Sequence, residues 1–112
     1  MDKYLFYGMT GDKLCFQHVL LNALALAGKG KTVKIIFEGG SVKLLPLFIM
    51  ENNPLYSKAR ELDLIAGVCL GCSRALGVAD RLKDSGLPML NDLSGHAGMD
   101  SYIEDGYTVI SM

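Results

Sequence analysis

The sequence predicts one α/β domain over residues 1–112: a three-layer sandwich of about five mostly parallel strands with helices on both faces, flavodoxin-like in architecture. Three observations favour this class. Short runs of β-branched and aromatic residues alternate with helical segments along the whole chain. Strands that alternate with helices are joined by right-handed crossovers, which produce a parallel sheet. Half of the residues are hydrophobic, enough at this length to bury a core without disulfides or metals.

The N-terminal half supplies two strands and the first helices. The aromatic run Lys3–Tyr7 predicts the first strand, and the apolar segment Lys13–Ala27 predicts a helix that is covered on more than one side. Asp12 or Thr10 would cap its start, and Gly28 would occupy the C′ position after its end.

The segment after the first helix predicts a second strand at Thr32–Phe37 and two further helices. Pro46 indicates that one of these helices begins near it or is kinked there. The pair Asn53–Pro54 is typical of an N-cap followed by the first helical residue, and it opens a helix that extends to about Leu62.

The C-terminal half predicts three more strands, separated by short helices. The third strand runs from about residue 64 to 68 and leads to Cys69, after which a helix begins at about Cys72 and stops at Gly77. Residues 79–85 predict a short helix. Pro88 indicates that a weak fourth strand begins at Met89 or lies at a sheet edge. A last helix precedes Gly106, and residues 107–112 predict the fifth strand.

Composition and charge exclude several classes of protein. The net charge of −1 gives no electrostatic reason to bind nucleic acid or a membrane surface. No apolar run reaches the roughly 18–20 residues that span a bilayer, and Asp2 and Lys3 do not resemble a signal peptide. Three cysteines are an odd number, which favours reduced thiols and a cytoplasmic location.

The pair Cys69–Cys72 is the main candidate for chemistry, because the carboxyl edge of a parallel sheet is where ligands bind. The pair suits a dithiol that cycles with a disulfide, or a single working thiol at Cys69 whose thiolate is stabilised by the amides of the next helix. Arg74 would add positive charge there.

Half of a zinc site is a third interpretation of the cysteine pair. No second Cys-x-x-Cys pair exists, and His18 and His96 lack the spacing of zinc ligands, so we expect neither a metal nor another cofactor. Cys72 is expected to be buried, inert and turned away from Cys69, and Cys15 is expected to be a buried apolar residue.

Histidine and glycine turns are weaker candidates. His96 lies in a glycine-rich turn that should also reach the carboxyl edge, where it would assist a thiol. Two glycine turns place amides at helix starts, which suits anions, although glycine more often serves a tight turn. The candidate ligand-binding glycines are Gly8, Gly11, Gly39 and Gly40.

The segment Val68–Val78 resembles the active-site segment of the DsrE/DsrF/TusD sulfur-relay family. In both, a cysteine ends a strand and a small-residue helix closes at a glycine, here Gly77. This chain departs from the family pattern in having Leu76 before that glycine, with its arginine two positions earlier at Arg74. Similarity extends over nearly the whole chain, through the first strand and helix, the Leu93-Ser94-Gly95 approach to the last helix and the Val109-Ile110 strand end.

The resemblance implies a DsrE-like domain, a trimer or hexamer, and transfer of a persulfide through Cys69 between sulfur donor and acceptor proteins. Two alternatives remain open: a non-catalytic oligomeric α/β module that binds a small ligand, and thiol-disulfide exchange between Cys69 and Cys72. Apolar side chains at 42–50 are too numerous to be covered by one sheet face, which also favours a homo-oligomer.

Overall fold

The computed structural model describes residues 2–112 and contains a five-stranded parallel sheet in the order β4-β3-β2-β1-β5. Its strands are β1 (Lys3–Gly8), β2 (Thr32–Phe37), β3 (Ile65–Cys69), β4 (Met89–Leu90) and β5 (Tyr107–Ser111). All four neighbouring pairs are parallel, so the predicted α/β class is confirmed. The order differs from the 2-1-3-4-5 order of flavodoxin itself, because β5 returns to pair with β1.

Six α-helices and a 3-10 helix at Gly39–Lys43 connect the strands of the described chain. The α-helices are α1 (Lys13–Gly28), α2 (Leu44–Met50), α3 (Pro54–Glu61), α4 (Leu70–Ala75), α5 (Ala79–Leu82) and α6 (Asp100–Glu104). Right-handed crossovers from β1 to β4 run in one direction and put α1 to α5 on one face, whereas the return to β5 puts α6 on the other. Across residues 2–112, every helix is too short or too polar to traverse a bilayer.

Aromatic side chains form the centre of the core between the sheet and the larger helical layer. Phe16 from α1 stacks on Phe37 from β2 with ring centroids 4.6 Å apart. Phe48 and Tyr56 stack beside them at 6.1 Å. Offset and tilted aromatic pairs at these distances add to the free energy gained from burial alone, so this group anchors β2 to three helices.

Several helix boundaries confirm the local predictions. Asp12 caps α1, because its carboxylate accepts a hydrogen bond from the amide of Cys15 at 2.9 Å. Asn53 caps α3 through the amides of Leu55 and Tyr56. Pro46 lies in the first turn of α2, where its missing N–H costs no helical hydrogen bond.

Three local expectations are wrong. Gly28 is the last residue of α1, and the left-handed conformation after the helix belongs to Gly30, with φ of 80°. Cys15 is exposed, because it lies in the first turn of α1 on the side that faces away from the sheet. α4 begins at Leu70, two residues earlier than predicted, because Cys69 itself is the N-cap.

Candidate functional site

The carboxyl ends of β2, β3 and β4 bring four polar side chains together. Glu38 follows β2, Cys69 ends β3, Cys72 lies in the first turn of α4, and His96 lies in the segment after β4. One ligand atom from each of these four residues lies within 4.8 Å of the others. We call these four residues the edge cluster.

Cys69 lies at the base of the edge cluster and is fully buried. Its Sγ accepts a hydrogen bond from the amide of Cys72 at 3.3 Å, so the thiol caps α4. Its carbonyl accepts a hydrogen bond from the buried hydroxyl of Ser73 at 2.7 Å. The sulfur and the carbonyl of Cys69 are therefore both held by hydrogen bonds, and the sulfur faces the other residues of the edge cluster.

Burial raises the pKa of the Cys69 thiol to about 12. The backbone amides of Cys72 and Ala97 act in the opposite direction, since they stabilise the thiolate, but their effect is smaller. The expectation of a Cys69 thiolate with a lowered pKa is therefore wrong. One amide of the following helix, that of Cys72, does face the sulfur, but loss of water around the sulfur outweighs it.

Cys72 lies beside Cys69 and is half-buried, so the expectation that it turns away is also wrong. Its Sγ lies 3.4 Å from His96 Nδ1, the same nitrogen that lies 3.2 Å from Cys69 Sγ. It also donates toward Glu38 Oε1 at 3.7 Å. Because the Cys69 thiol accepts from the amide of Cys72 as the N-cap of α4, the side chain of Cys72 starts close to the Cys69 sulfur.

His96 covers the outer side of the edge cluster and is itself exposed. Its backbone exchanges two hydrogen bonds with Leu93, each 2.8 Å long, which closes the turn that carries the ring. The amide of Gly71 donates to the carbonyl of Gly95 at 2.7 Å, which joins this turn to α4. The predicted approach of His96 to the thiols is observed.

Glu38 is a buried carboxylate with only 4% of its surface exposed. Ser41 fixes its backbone, because the serine hydroxyl accepts from the Glu38 amide at 2.9 Å and donates to the carbonyl of Gly8 at 2.7 Å. Glu38 Oε2 has no hydrogen-bond partner among the described residues. The hydroxyl of neighbouring Tyr7 donates its only proton to the carbonyl of Ala97 at 2.9 Å.

The protonation of Tyr7 fits this arrangement. Burial, and then the Glu38 carboxylate, raise the pKa of the Tyr7 hydroxyl, because a phenolate there would be poorly solvated and next to a negative charge. Tyr7 therefore stays a neutral donor that fixes the chain near Ala97.

The remaining predicted site residues lie outside the edge cluster. Arg74 is exposed at the far end of α4, where it lines a shallow depression with Gly77 and Asp80. Gly11 and Gly40 pack against each other, since a Cβ on Gly40 would lie 3.1 Å from the Gly11 Cα. This close approach gives the two turns a packing role.

The outer pair of candidate glycines has the same role. A Cβ on Gly8 would lie 2.5 Å from the ring of Phe16, and one on Gly39 would lie 3.2 Å from the carbonyl of Met9. Close packing accounts for glycine at both positions, and anion binding by these turns remains a prediction.

Sequence reasoning missed Glu38 and Tyr7 as members of this site. Both were visible in principle, because Tyr7 lies at the end of β1 and Glu38 directly follows β2. The ends of adjacent parallel strands meet at one edge, so the residues there are neighbours in space, however far apart they lie in sequence. Spacing along the chain does not carry this information.

Comparison with known proteins places the chain in a family. The uncharacterized protein MJ0733 from Methanocaldococcus jannaschii is 36% identical over 95 residues, which cover 85% of this chain and 78% of that protein. The chain belongs to the family of MJ0733. No protein-family model matches the chain.

A solved structure supports the fold. BT1422 from Bacteroides thetaiotaomicron, a conserved protein of unknown function, superposes with a TM-score of 0.69 over 99% of this chain and 95% of that chain. Its sequence identity is 22%, so the likeness concerns the fold alone.

Proposed function

We propose that this member of the MJ0733 family is a sulfur carrier that accepts sulfane sulfur from a donor persulfide and passes it to an acceptor protein. One observation carries the proposal: both thiols contact the same imidazole nitrogen, at 3.2 Å for Cys69 and 3.4 Å for Cys72. His96 Nδ1 can therefore take a proton from either thiol or stabilise either thiolate. The resemblance of this segment to the DsrE/DsrF/TusD family supports the same function.

Sulfur enters at Cys72, because its thiol is half-buried whereas Cys69 is fully buried. The donor R–S–SH and Cys72–SH give R–SH and Cys72–S–SH, so the donor's outer sulfur moves and one proton is exchanged. Attack by Cys69 on that outer sulfur then gives Cys72–SH and Cys69–S–SH. The buried thiol thus holds the sulfur away from water, and His96 passes the proton between the two sulfurs.

Thiol-disulfide exchange is the second candidate, and the proximity of the two thiols favours it. The sulfurs lie within 4.8 Å of each other, so a rotamer change would bring them to bonding distance. Attack by Cys69 on the inner sulfur of Cys72–S–SH would release H₂S and leave a Cys69–Cys72 disulfide. In that reaction the sulfane sulfur is reduced and the two thiols are oxidised.

Mass spectrometry of metal-free protein after incubation with polysulfide tests the proposal. We expect the mass of one added sulfur atom, with loading lost in Cys72→Ser and retained in the matched Cys15→Ser control, because Cys15 lies outside the edge cluster. Loading that persists in a Cys69→Ser/Cys72→Ser double variant would reject the proposal. The loss of two hydrogens from the wild-type chain would select disulfide exchange instead.

The proposal includes a homo-oligomer, a trimer or hexamer, acting in the reducing cytoplasm. Lys13 Nζ lies 2.7 Å from Glu51 Oε1, which places the start of α1 beside the end of α2. Leu14 and Met50 on these ends are about 70% exposed. Covering such side chains would favour assembly, and light scattering at micromolar concentration tests it, with a monomer as the opposing result.

A further inference from the structure

We propose that the edge cluster is a zinc site with ligands Glu38, Cys69, Cys72 and His96. Two thiolates, one imidazole and one carboxylate form a donor set that Zn²⁺ binds tetrahedrally. Thiolates also suit Cu⁺, but the carboxylate favours zinc. The inference is independent of the sulfur-carrier proposal, because it concerns what the same side chains hold when no sulfane sulfur is present.

The spacing of the side chains fits a tetrahedral ion. With bonds of about 2.3 Å to sulfur and about 2.0–2.2 Å to nitrogen or oxygen, tetrahedral ligands lie about 3.4–3.8 Å apart. The observed separations are 3.2 Å and 3.4 Å from His96 Nδ1 to the two sulfurs. Cys72 Sγ and Glu38 Oε1 are 3.7 Å apart. Two of these separations lie in the tetrahedral range and the third is slightly shorter, and all four ligand atoms lie within 4.8 Å of one another, so adjustment of the side chains can enclose an ion.

Glu38 gives the second, independent observation. A buried carboxylate normally has its oxygens hydrogen-bonded, because stripping them of water without a partner is costly. Glu38 is 4% exposed, its Oε2 has no partner among residues 2–112, and its other oxygen faces the thiol of Cys72. A cation in the cluster binds this carboxylate and compensates its charge, which water does not do at this buried position.

The surroundings of the ligands also suit a metal site. The amide of Cys72 points at Cys69 Sγ from 3.3 Å, which is the kind of outer contact that orients a thiolate ligand. Glu38 and Cys69 form the buried base, whereas Cys72 and His96 form the outer side. An ion can therefore enter from solvent past the His96 ring.

Zinc titration of the full chain tests the inference directly. Reduced protein freed of metal with a chelator is titrated with Zn²⁺ against a chromophoric competitor, and separately with Co²⁺ as an optical probe. We expect one Zn²⁺ per chain, proton release as the thiols ionise, and a Co²⁺ spectrum with thiolate charge transfer and tetrahedral d–d bands. Failure of the folded wild type to compete for Zn²⁺, or an octahedral Co²⁺ spectrum, would overturn it.

Variants then assign the ligands. Glu38→Gln keeps the shape of the side chain and removes its charge, and we expect it to weaken zinc binding at least about tenfold, whereas Cys72→Ser weakens it more. The Cys15→Ser control keeps the wild-type affinity, and circular dichroism confirms that each variant is folded. Glu38→Gln protein that binds zinc as tightly as the wild type would overturn the four-ligand assignment.

The two proposals fail separately. Sulfur loading is measured on metal-free protein, and zinc binding is measured without a sulfur donor. Protein that binds zinc but takes up no sulfur would support the zinc site and reject the sulfur-carrier proposal. Protein that takes up sulfur but does not bind zinc would support the sulfur carrier and reject the zinc site. If both hold, zinc blocks sulfur loading, because the ion occupies both thiolates.

Discussion

The imidazole ring of His96 lies directly against the Cα of Gly71. A Cβ built on Gly71 would lie 2.5 Å from His96 Cε1 and within 2.7 Å of both ring nitrogens, closer than real carbon atoms approach. Glycine at position 71 therefore makes room for the ring that both thiols contact. The residue at position 71, in the first turn of α4, therefore determines whether the His96 ring can reach the edge cluster.

Gly71→Ala should displace the His96 ring while leaving the helix intact, since alanine is the better helix former. We expect zinc affinity to fall at least about tenfold and sulfur loading to slow, because His96 Nδ1 moves away from both sulfurs. Competition titration and mass spectrometry measure these effects. Gly28→Ala is the matched control, because it is also helical and a Cβ there meets no atom within 4 Å. Equal zinc affinity in the two variants would contradict the role of Gly71.

Cys69 should be the slowest of the three cysteines to react with iodoacetamide in metal-free protein at neutral pH. Its thiol is buried and its pKa is raised to about 12, and the thiolate is the reactive form. Cys15 is exposed and Cys72 half-buried, so both should be labelled first. Peptide mapping at several times gives the order. Labelling of Cys69 as fast as that of Cys15 would show that burial does not control its reactivity.

Asn53→Ala should lower the free energy of unfolding by about 1 kcal/mol, since a side chain that caps a helix typically contributes that much. The Asn53 carbonyl oxygen accepts from the amides of Leu55 and Tyr56 at 3.0 and 3.1 Å, and the residue is buried. Urea unfolding measures the change. Asn91→Ala, at an exposed position, serves as the control and should be close to neutral. Equal losses in the two variants would argue against the cap.

Asp12 should make stability fall at acidic pH. The amide of Cys15 donates to its carboxylate and holds the pKa of Asp12 below its usual range. A carboxyl whose pKa is lower in the folded state stabilises the fold above its usual pKa, and this contribution is lost as pH falls through the lowered value. Asp12→Asn keeps an N-cap that does not titrate. The wild type's advantage over Asp12→Asn in urea midpoint should therefore shrink on acidification, whereas a constant difference would contradict this.

Much of the fold could be predicted because local patterns decided it. β2 was predicted with its observed bounds, since Thr32–Phe37 is a β-branched and aromatic run between a glycine end and a glycine turn. Met89–Leu90 was predicted as a weak edge strand, and Pro88 explains why it starts late. Exposure was less predictable. Cys15 lies in an apolar helix that one sheet covers on one side only, and periodicity alone did not show which residues face outward.

The candidate site was predicted in part, for a physical reason. The strand end at Cys69 was visible from sequence, and so was the reach of His96, because both follow from the parallel sheet. The protonation of Cys69 was not, since it depends on how completely the folded chain buries the sulfur. Along the sequence Glu38 belongs to a glycine turn, and neither His18 nor His96 has the spacing from the cysteine pair that is typical of a zinc ligand. Non-local packing supplies a carboxylate and brings one of these histidines into contact.

Few hydrogen bonds attach the segment at 91–99, which carries His96, to the rest of the chain. The amide of Gly71 and the hydroxyl of Tyr7 hold its backbone, and His96 and the amide of Ala97 contact the sulfurs of the edge cluster. Segments held in this way open by local fluctuations that need far less free energy than global unfolding. Amide hydrogen exchange at Gly71 and His96 should therefore be faster than in β1. It should also be faster than the rate that the free energy of global unfolding alone would allow. An ion or persulfide held by the edge cluster would slow that exchange, so the exchange kinetics of this one segment would report whether the cluster is occupied.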